Sequence, residues 1–250
     1  MLKRSADRKV SPVIRKTAKS FTVKSKNSFG LPAGNEFSCP GATSVCESIC
    51  YANKLEKLYK GVRGVLMHNW DLVSNANSTE LYSLLHGMIS EFVSECEKIN
   101  AEKIFRIHWD GDFFSADYAR AWADVIRAFP NVQFWVYTRS FTPALNVIPI
   151  IAGIDNLSVY LSVDSDNIEH ARDILSEHPD VMFATLANTA TEAKEMLPER
   201  IISCPENVGR RIPLIVDRHN DGNAKGACAA CGLCVNARNN VAFAISGKEN

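Results

Sequence analysis

No run of eighteen apolar residues occurs in the chain, which excludes a hydrophobic membrane-spanning helix, and the basic start is not followed by the apolar stretch of an export signal. The expectation is a cytoplasmic protein without a membrane partner. Internal repeats and low-complexity segments are also missing, so nothing points to a repeat array or a disordered linker. Net charge is absent as well, since 28 Lys and Arg oppose 28 Asp and Glu. A strong single-sign field over the whole molecule is thereby excluded.

Cysteine, by contrast, is plentiful. Seven of the eight fall into two groups, Cys39-x6-Cys46-x3-Cys50 and Cys204 with Cys228-x2-Cys231-x2-Cys234. Such spacing suits metal ligation, and three Cys each two residues apart match the ferredoxin pattern that wraps a four-iron cluster. Zinc more often takes paired C-x2-C hooks, and structural thiols remain the plain alternative. Cys204 precedes Pro205, as a remote ferredoxin ligand often does, and is the natural fourth ligand of the C-terminal group. On the N-terminal side, three thiolates leave one iron of a [4Fe-4S] cluster without a protein ligand, the mark of a working rather than a closed centre. Cys96 instead continues the helical series Leu81, Leu85, Met88, Ile89, Phe92 and is expected in the core. Free thiols in metal-type spacing fit a reducing cytoplasm.

The balanced charge hides an asymmetry. Residues 1–26 carry nine basic side chains and one acid, Asp7, so the remainder is net acidic by eight. This segment reads as a basic arm that neutralises nucleic-acid phosphates or docks a host protein, or as a solvated screen for the acidic body. Residues 27–250 read as a single domain; 46% hydrophobic content is enough for a large core.

Strand and helix alternate through the middle. Strands are expected at 103–108, 132–137, 157–163 and 181–186, continued by shorter ones at 201–203 and 214–216, about 25 to 28 residues apart among the longer ones. Helices are expected from Asn77, with Glu80 completing a capping box, to Ile99, and from the Ser115 cap to Pro130. The pattern is that of parallel βαβ units closing partly or completely into an α/β barrel. The loops after such strands form the active face, and here they hold His108, Trp109, Asp110 and Asp112, then Thr138, Arg139 and Ser140, then Asp164 and Ser165, then Asn188, with Cys204 on the same rim. Asp110 and Asp112 among aromatics need a cationic partner, which Arg106, Arg139 or a bound ammonium would supply. His108 reads either as a catalytic group or as a hydrogen-bonded residue inside the barrel. Asp164 and Ser165 read equally well as helix caps.

Phe29-Gly30-Leu31-Pro32-Ala33-Gly34, Cys39-Pro40-Gly41-Ala42 with Cys46 and Cys50-Tyr51-Ala52, Gly111-Asp112-Phe113-Phe114-Ser115, Tyr137-Thr138-Arg139-Ser140 and the terminal Cys triplet together resemble the gene-product-88 type of bacteriophage proteins, over roughly residues 20 to 247. That layout is similar in turn to radical S-adenosylmethionine enzymes. The resemblance implies that Cys39, Cys46 and Cys50 hold a cluster after the first barrel strand. It implies too that Gly111 and Asp112, with Arg139 nearby, meet the amino group of a bound small molecule, S-adenosylmethionine. The cysteine spacing here is wider than the C-x3-C-x2-C of those enzymes.

Two function classes follow. One is an enzyme that cleaves S-adenosylmethionine for radical chemistry, with Cys204, Cys228, Cys231 and Cys234 holding an auxiliary cluster in the cytoplasm of a phage host. The other is a non-catalytic iron–sulfur protein whose arm binds nucleic acid or a host protein. The two cysteine groups would hold two clusters, or would meet and share one.

Overall fold

The computed structural model describes residues 1–10, 12–15, 21–23, 25–209, 211–217 and 224–247. Two short strands, β1 (Pro12–Arg15) and β2 (Phe21–Val23), come first. Four helices follow: α1 (Ser44–Ile49), α2 (Tyr51–Leu58), α3 (Lys60–Val73) and α4 (Ser78–Lys98). Then β3 (Ile104–Arg106), α5 (Ala116–Ala128) and β4 (Gln133–Thr138) open the alternation. A small hairpin, β5 (Phe141–Thr142) and β6 (Leu145–Asn146), leads through α6 (Ile148–Ile151) into β7 (Leu157–Val163). The series continues with α7 (Ile168–Glu177), β8 (Met182–Ala187), α8 (Ala190–Glu195) and β9 (Ile201–Ser203). Last come β10 (Ile215–Val216), β11 (Ala224–Gly226), α9 (Ala227–Cys231) and β12 (Asn240–Ala244).

Local chemistry explains the helix starts. Asn77 accepts from the amides of Thr79 and Glu80 while Glu80 reaches back to the Asn77 amide, closing the expected capping box on α4. Ser115 accepts from the Tyr118 amide and starts α5.

Six strands form one parallel sheet in the order β3-β4-β7-β8-β12-β9. Parallel pairing and order through β8 follow the alternating pattern, but two expectations need correction. The stretch 214–216 does not continue this sheet: β10 pairs antiparallel with β11, in a second sheet ordered β10-β11-β1-β2. The sixth parallel strand is β12, inserted between β8 and β9. Among the described residues the edges β3 and β9 do not pair, so the sheet is open and the expected complete barrel does not close. The β3 edge is extended instead by residues 27–29. Arg106 donates its amide to the Asn27 carbonyl, and Phe29 donates to the Arg106 carbonyl, giving a parallel bridge between Ser28 and Arg106.

The two faces of the sheet are covered differently. Phe105, Phe134, Val136, Val159, Leu161, Phe183 and Ala242 point to one face, where they join a core with Leu85, Met88, Ile89, Phe92 and Cys96 of α4 and Tyr118, Trp122 and Ile126 of α5. Full burial of each such large side chain contributes about 1.5–3 kcal/mol. Trp135, Tyr137, Tyr160, Met182, Ala184, Val241 and Phe243 point to the other face and pack with Val235, Cys204, Cys228 and Cys234. Ser158 donates to the Val235 carbonyl, and the Tyr160 hydroxyl reaches the carbonyls of Leu233 and Asn239. The C-terminal cysteine segment is thus laid across the sheet face opposite the helices.

The described part of the basic segment 1–26 is not a free arm, because Leu2 and Val10 are buried and Arg4 pairs with Glu95 at 2.7 Å. No helix among the described residues is long and apolar enough to cross a membrane.

Candidate functional site

The chain leaves the bridge to β3 at Phe29 and turns over the strand ends. Trp109 donates its amide to the Phe29 carbonyl and Leu31 donates to the Asp110 carbonyl, so the segment before the cysteine loop is stitched to the turn after β3. Two glycines permit the close contact. A Cβ on Gly41 would lie 2.1 Å from the Arg139 carbonyl oxygen, so the Cys39-Pro40-Gly41 turn sits directly on the backbone after β4. Gly111 has φ +79° and a Cβ there would strike the Ser38 hydroxyl at 2.4 Å.

The loop is also held by charge. Arg139 at the end of β4 and Asp164 at the end of β7 meet at 2.5 Å, and Thr43 of the loop donates to the same Asp164 oxygen at 2.6 Å. Thr43 also caps α1 by accepting the Cys46 amide, and the Cys50 sulfur caps α2 by accepting from Asn53 at 3.4 Å. Cys39, Cys46 and Cys50 are each half-buried, in one loop at the rim. Burial first, and the Asp112 carboxylate second, push the Cys39 thiol up; burial likewise raises Cys46, opposed by Arg139. Thiols in this setting stay protonated until an electrophilic metal replaces the proton.

The two rim aspartates differ. Asp112 accepts from the Thr138 hydroxyl at 2.7 Å, the Arg139 amide at 2.6 Å and its neighbour Phe113 at 2.7 Å. The chain's own donors therefore take three of its roughly four acceptor sites, and the free ammonium partner expected at Asp112 is largely forestalled. Asp110 has both oxygens buried without a donor. Burial first, then the neighbouring Glu56 carboxylate, raises its pKa to about 8. The Asp110 carboxyl thus faces the Glu56 carboxylate, with the Gly111 amide and Arg106 as the opposing, weaker influences. Glu56 is itself buried and accepts from the Ala33 amide at 2.8 Å.

His108 is not inside a barrel. It lies on the helix side, bonded through Nε2 to the Tyr118 hydroxyl at 2.9 Å and edge-on to Phe113, and burial lowers its pKa to about 3. It stays neutral and structural, with φ +56° recording the sharp turn after β3. Asp164 accepts rather than caps: its amide donates to the Asn167 side-chain oxygen, and its carboxylate takes Arg139 and Thr43. Ser165 is at the surface beside Asp166, and Asn188 accepts from Ser246 through its carbonyl.

The four C-terminal cysteines come together. Cys204, Cys228, Cys231 and Cys234 line one narrow pocket, a cavity of about 20 Å³, with Pro205, Ile212, Leu233 and Val241 as apolar walls; none of Cys39, Cys46 or Cys50 borders it. The Cys204 amide donates to Ala242 of β12, and the turn after α9 closes on Gly232 at φ +71°. Burial pushes Cys228 upward and Cys234 to about 12, with Tyr137 against the Cys234 sulfur. Among the described residues no three His, Cys, Asp or Glu side chains close on a point as a single metal ion requires. The eight cysteines are all free thiols, and Cys96 is buried as its helical spacing predicts.

One participant was not read from the sequence, and another, Arg106, has a partner other than the expected Asp110 or Asp112. Lys9 donates through Nζ to Glu206 at 2.7 Å, while its carbonyl accepts the amides of Cys228 and Ala229. Arg106 bonds Asp7 at 2.8 Å, reaches the Tyr51 hydroxyl at 3.4 Å and lies over Trp135. Tyr51, next to Cys50, donates to the Trp109 carbonyl at 2.7 Å. A basic tail carries no local signal that one of its lysines will clamp a distant cysteine turn, whereas Thr43 three residues before Cys46 is a legible cap.

No solved structure matches this chain. It is 46% identical to the Gene 88 protein of Mycobacterium phage L5 over 248 residues and 47% identical to the Gene 88 protein of Mycobacterium phage D29 over 249 residues, covering 99% of each pair. The family described as Gene product 88 matches residues 1–237. With that match and with relatives aligned over almost their whole length, the chain belongs to the Gene product 88 family of phage proteins.

Proposed function

We propose that this chain is an iron–sulfur protein with the partial-barrel layout of radical S-adenosylmethionine enzymes, working in the reducing cytoplasm of the phage host. The observation that carries the reading is the convergence of Cys204, Cys228, Cys231 and Cys234 on one pocket from segments more than twenty residues apart. An all-thiol donor set with apolar walls is the ligand chemistry of a [4Fe-4S] cluster. Cys39, Cys46 and Cys50 would hold a second cluster with one iron left open. Support comes from their place in the loop that follows the strand-like segment 27–29, beside the first strand of the parallel sheet.

An open iron carrying S-adenosylmethionine would supply one-electron cleavage of a sulfonium bond and hydrogen-atom abstraction. The residues at the rim would do the rest. Gly41 and Gly111 keep the loop tight on the strand ends, and Arg139 with Asp164 and Thr43 fixes the position of Cys46. Gly111, Asp112 and Arg139 would frame the bound cofactor, while the carboxyl with acceptor sites left for an ammonium is Asp110.

One observation favours the non-catalytic reading for the C-terminal cluster. The cysteine segment fills the sheet face that a barrel enzyme keeps open for substrate, so this cluster would staple the fold.

Iron and sulfide analysis of anaerobically reconstituted protein tests the proposal. About eight irons per chain, falling to about four in Cys231→Ser, are expected for two four-iron clusters. Electron paramagnetic resonance of the reduced protein should change on adding S-adenosylmethionine. Zinc in place of iron would overturn the cluster assignment, and a spectrum indifferent to S-adenosylmethionine would leave only the structural iron–sulfur reading.

A further inference from the structure

Two cations of the N-terminal segment are held inside the fold, Arg4 by Glu95 and Lys9 by Glu206. An uncompensated basic surface lies elsewhere. Lys54, Lys57 and Lys60 follow at three-residue spacing along α2 and into α3, all exposed. None has a carboxylate in ion-pair reach among the described residues; the acid on this helix, Glu56, is buried and answered by Arg63 at 3.2 Å.

The stretch 51–60 carries three of the six exposed large apolar side chains among the described residues: Tyr51 at 54%, Leu58 at 72% and Tyr59 at 57%. Two of these are aromatic, and Tyr51 is pinned by its hydroxyl to the Trp109 carbonyl, which holds its ring in place. Exposed rings interleaved with unpaired lysines form a surface on which bases stack while phosphates are neutralised. A protein partner fits less well, because lysine is depleted from the cores of protein interfaces. A membrane surface fits less well too, because one eight-residue helix offers far less apolar face than interfacial helices bury. Duplex DNA keeps its bases stacked on one another and gives the tyrosines nothing to cover.

We propose that α2 and the start of α3 bind single-stranded nucleic acid, with Lys54, Lys57 and Lys60 on the phosphates and Tyr51 and Tyr59 against the bases. This surface is independent of any metal and separate from the segment 1–26. It flanks the cysteine loop, since α2 begins directly after Cys50.

The test is fluorescence anisotropy of a labelled oligothymidylate of about twelve nucleotides, within the usual site sizes, titrated with the full-length protein at several salt concentrations. Each neutralised phosphate on a single strand contributes about 0.7 to the slope of log K against log salt. The triple variant Lys54→Gln, Lys57→Gln, Lys60→Gln should therefore flatten the slope by about 2, while a Tyr59→Ala variant should weaken binding roughly 5- to 150-fold at unchanged slope. These positions are exposed, so circular dichroism should show both variants folded. Absent binding at low salt would overturn the proposal, as would binding that neither variant changes, which would return the contact to another surface. Capture of polyglutamate or of anionic phospholipid vesicles in place of the oligonucleotide would assign the surface to a protein or a membrane and overturn it equally.

Discussion

The carbonyl oxygen of Lys9 accepts the backbone N–H of Cys228 at 2.8 Å, while its ammonium holds Glu206, two residues beyond Cys204. One residue of the N-terminal segment thus fastens both halves of the C-terminal cysteine pocket. The charge of that segment is a consequence of its place, since it packs on an acidic body.

Removing residues 1–10 is therefore expected to disrupt the Cys204, Cys228, Cys231, Cys234 pocket, whereas a detachable arm would leave it intact. Limited proteolysis should cut the truncated protein within 224–240 faster than the full chain, and thiol labelling of Cys228 and Cys234 should accelerate at least tenfold. Equal labelling rates would show that the segment contributes nothing to the pocket. Lys9→Met, which keeps the carbonyl and removes only the exposed ion pair, should change stability by about 1 kcal/mol at most.

Arg139 and Asp164 form a buried pair that couples the ends of β4 and β7 to the cysteine loop through Thr43. Arg139→Met leaves the Asp164 carboxylate buried with its charge uncompensated, and a loss of about 3–5 kcal/mol in urea unfolding is expected. The double variant Arg139→Met, Asp164→Leu should recover much of it. A single variant no less stable than the double one would show that the pair adds nothing beyond packing.

Asp110 makes stability depend on pH with a sign opposite to that of an ordinary paired carboxylate. Its folded pKa of about 8 lies above the unfolded value, so between pH 4 and 8 the folded chain holds a proton that the unfolded chain has released. Its contribution is fully present below pH 4 and is lost as pH rises through 8. Asp110→Asn cannot ionise, so its advantage over the native chain should grow between pH 5 and pH 8.5 by up to about 4 kcal/mol, at about 1.4 kcal/mol per pH unit up to the folded pKa. Asp112→Asn should act the other way and destabilise, because an amide nitrogen cannot accept from both Thr138 and the Arg139 amide. Urea unfolding of the metal-free protein at the two pH values measures both.

Asp110 and Asp112 also show where sequence reading stops. Both stand beside Gly111 among aromatics, and nothing local separates them. The fold turns one toward Thr138 and the Arg139 amide and the other toward Glu56, so one carboxylate is satisfied and the other is not. His108 is a similar case: its alternation with Ile107 reads as inward, yet its left-handed backbone turns the ring to the helices.

By itself the sequence determined what depends on near neighbours. The Asn77–Glu80 capping box, the Ser115 cap, the burial of Cys96 and the run of strands from β3 to β8 follow from 3.6- and 2-residue periods and from hydrogen bonds spanning three residues. Tertiary structure alone decided that β12 would separate β8 from β9, that β10 would leave the parallel sheet, and that Lys9 would seal a pocket formed by Cys204 and the terminal triplet. Strand order, sheet face and the meeting of distant thiols are settled by which long-range contacts bury the most apolar surface while satisfying every buried amide, and no local pattern encodes that competition.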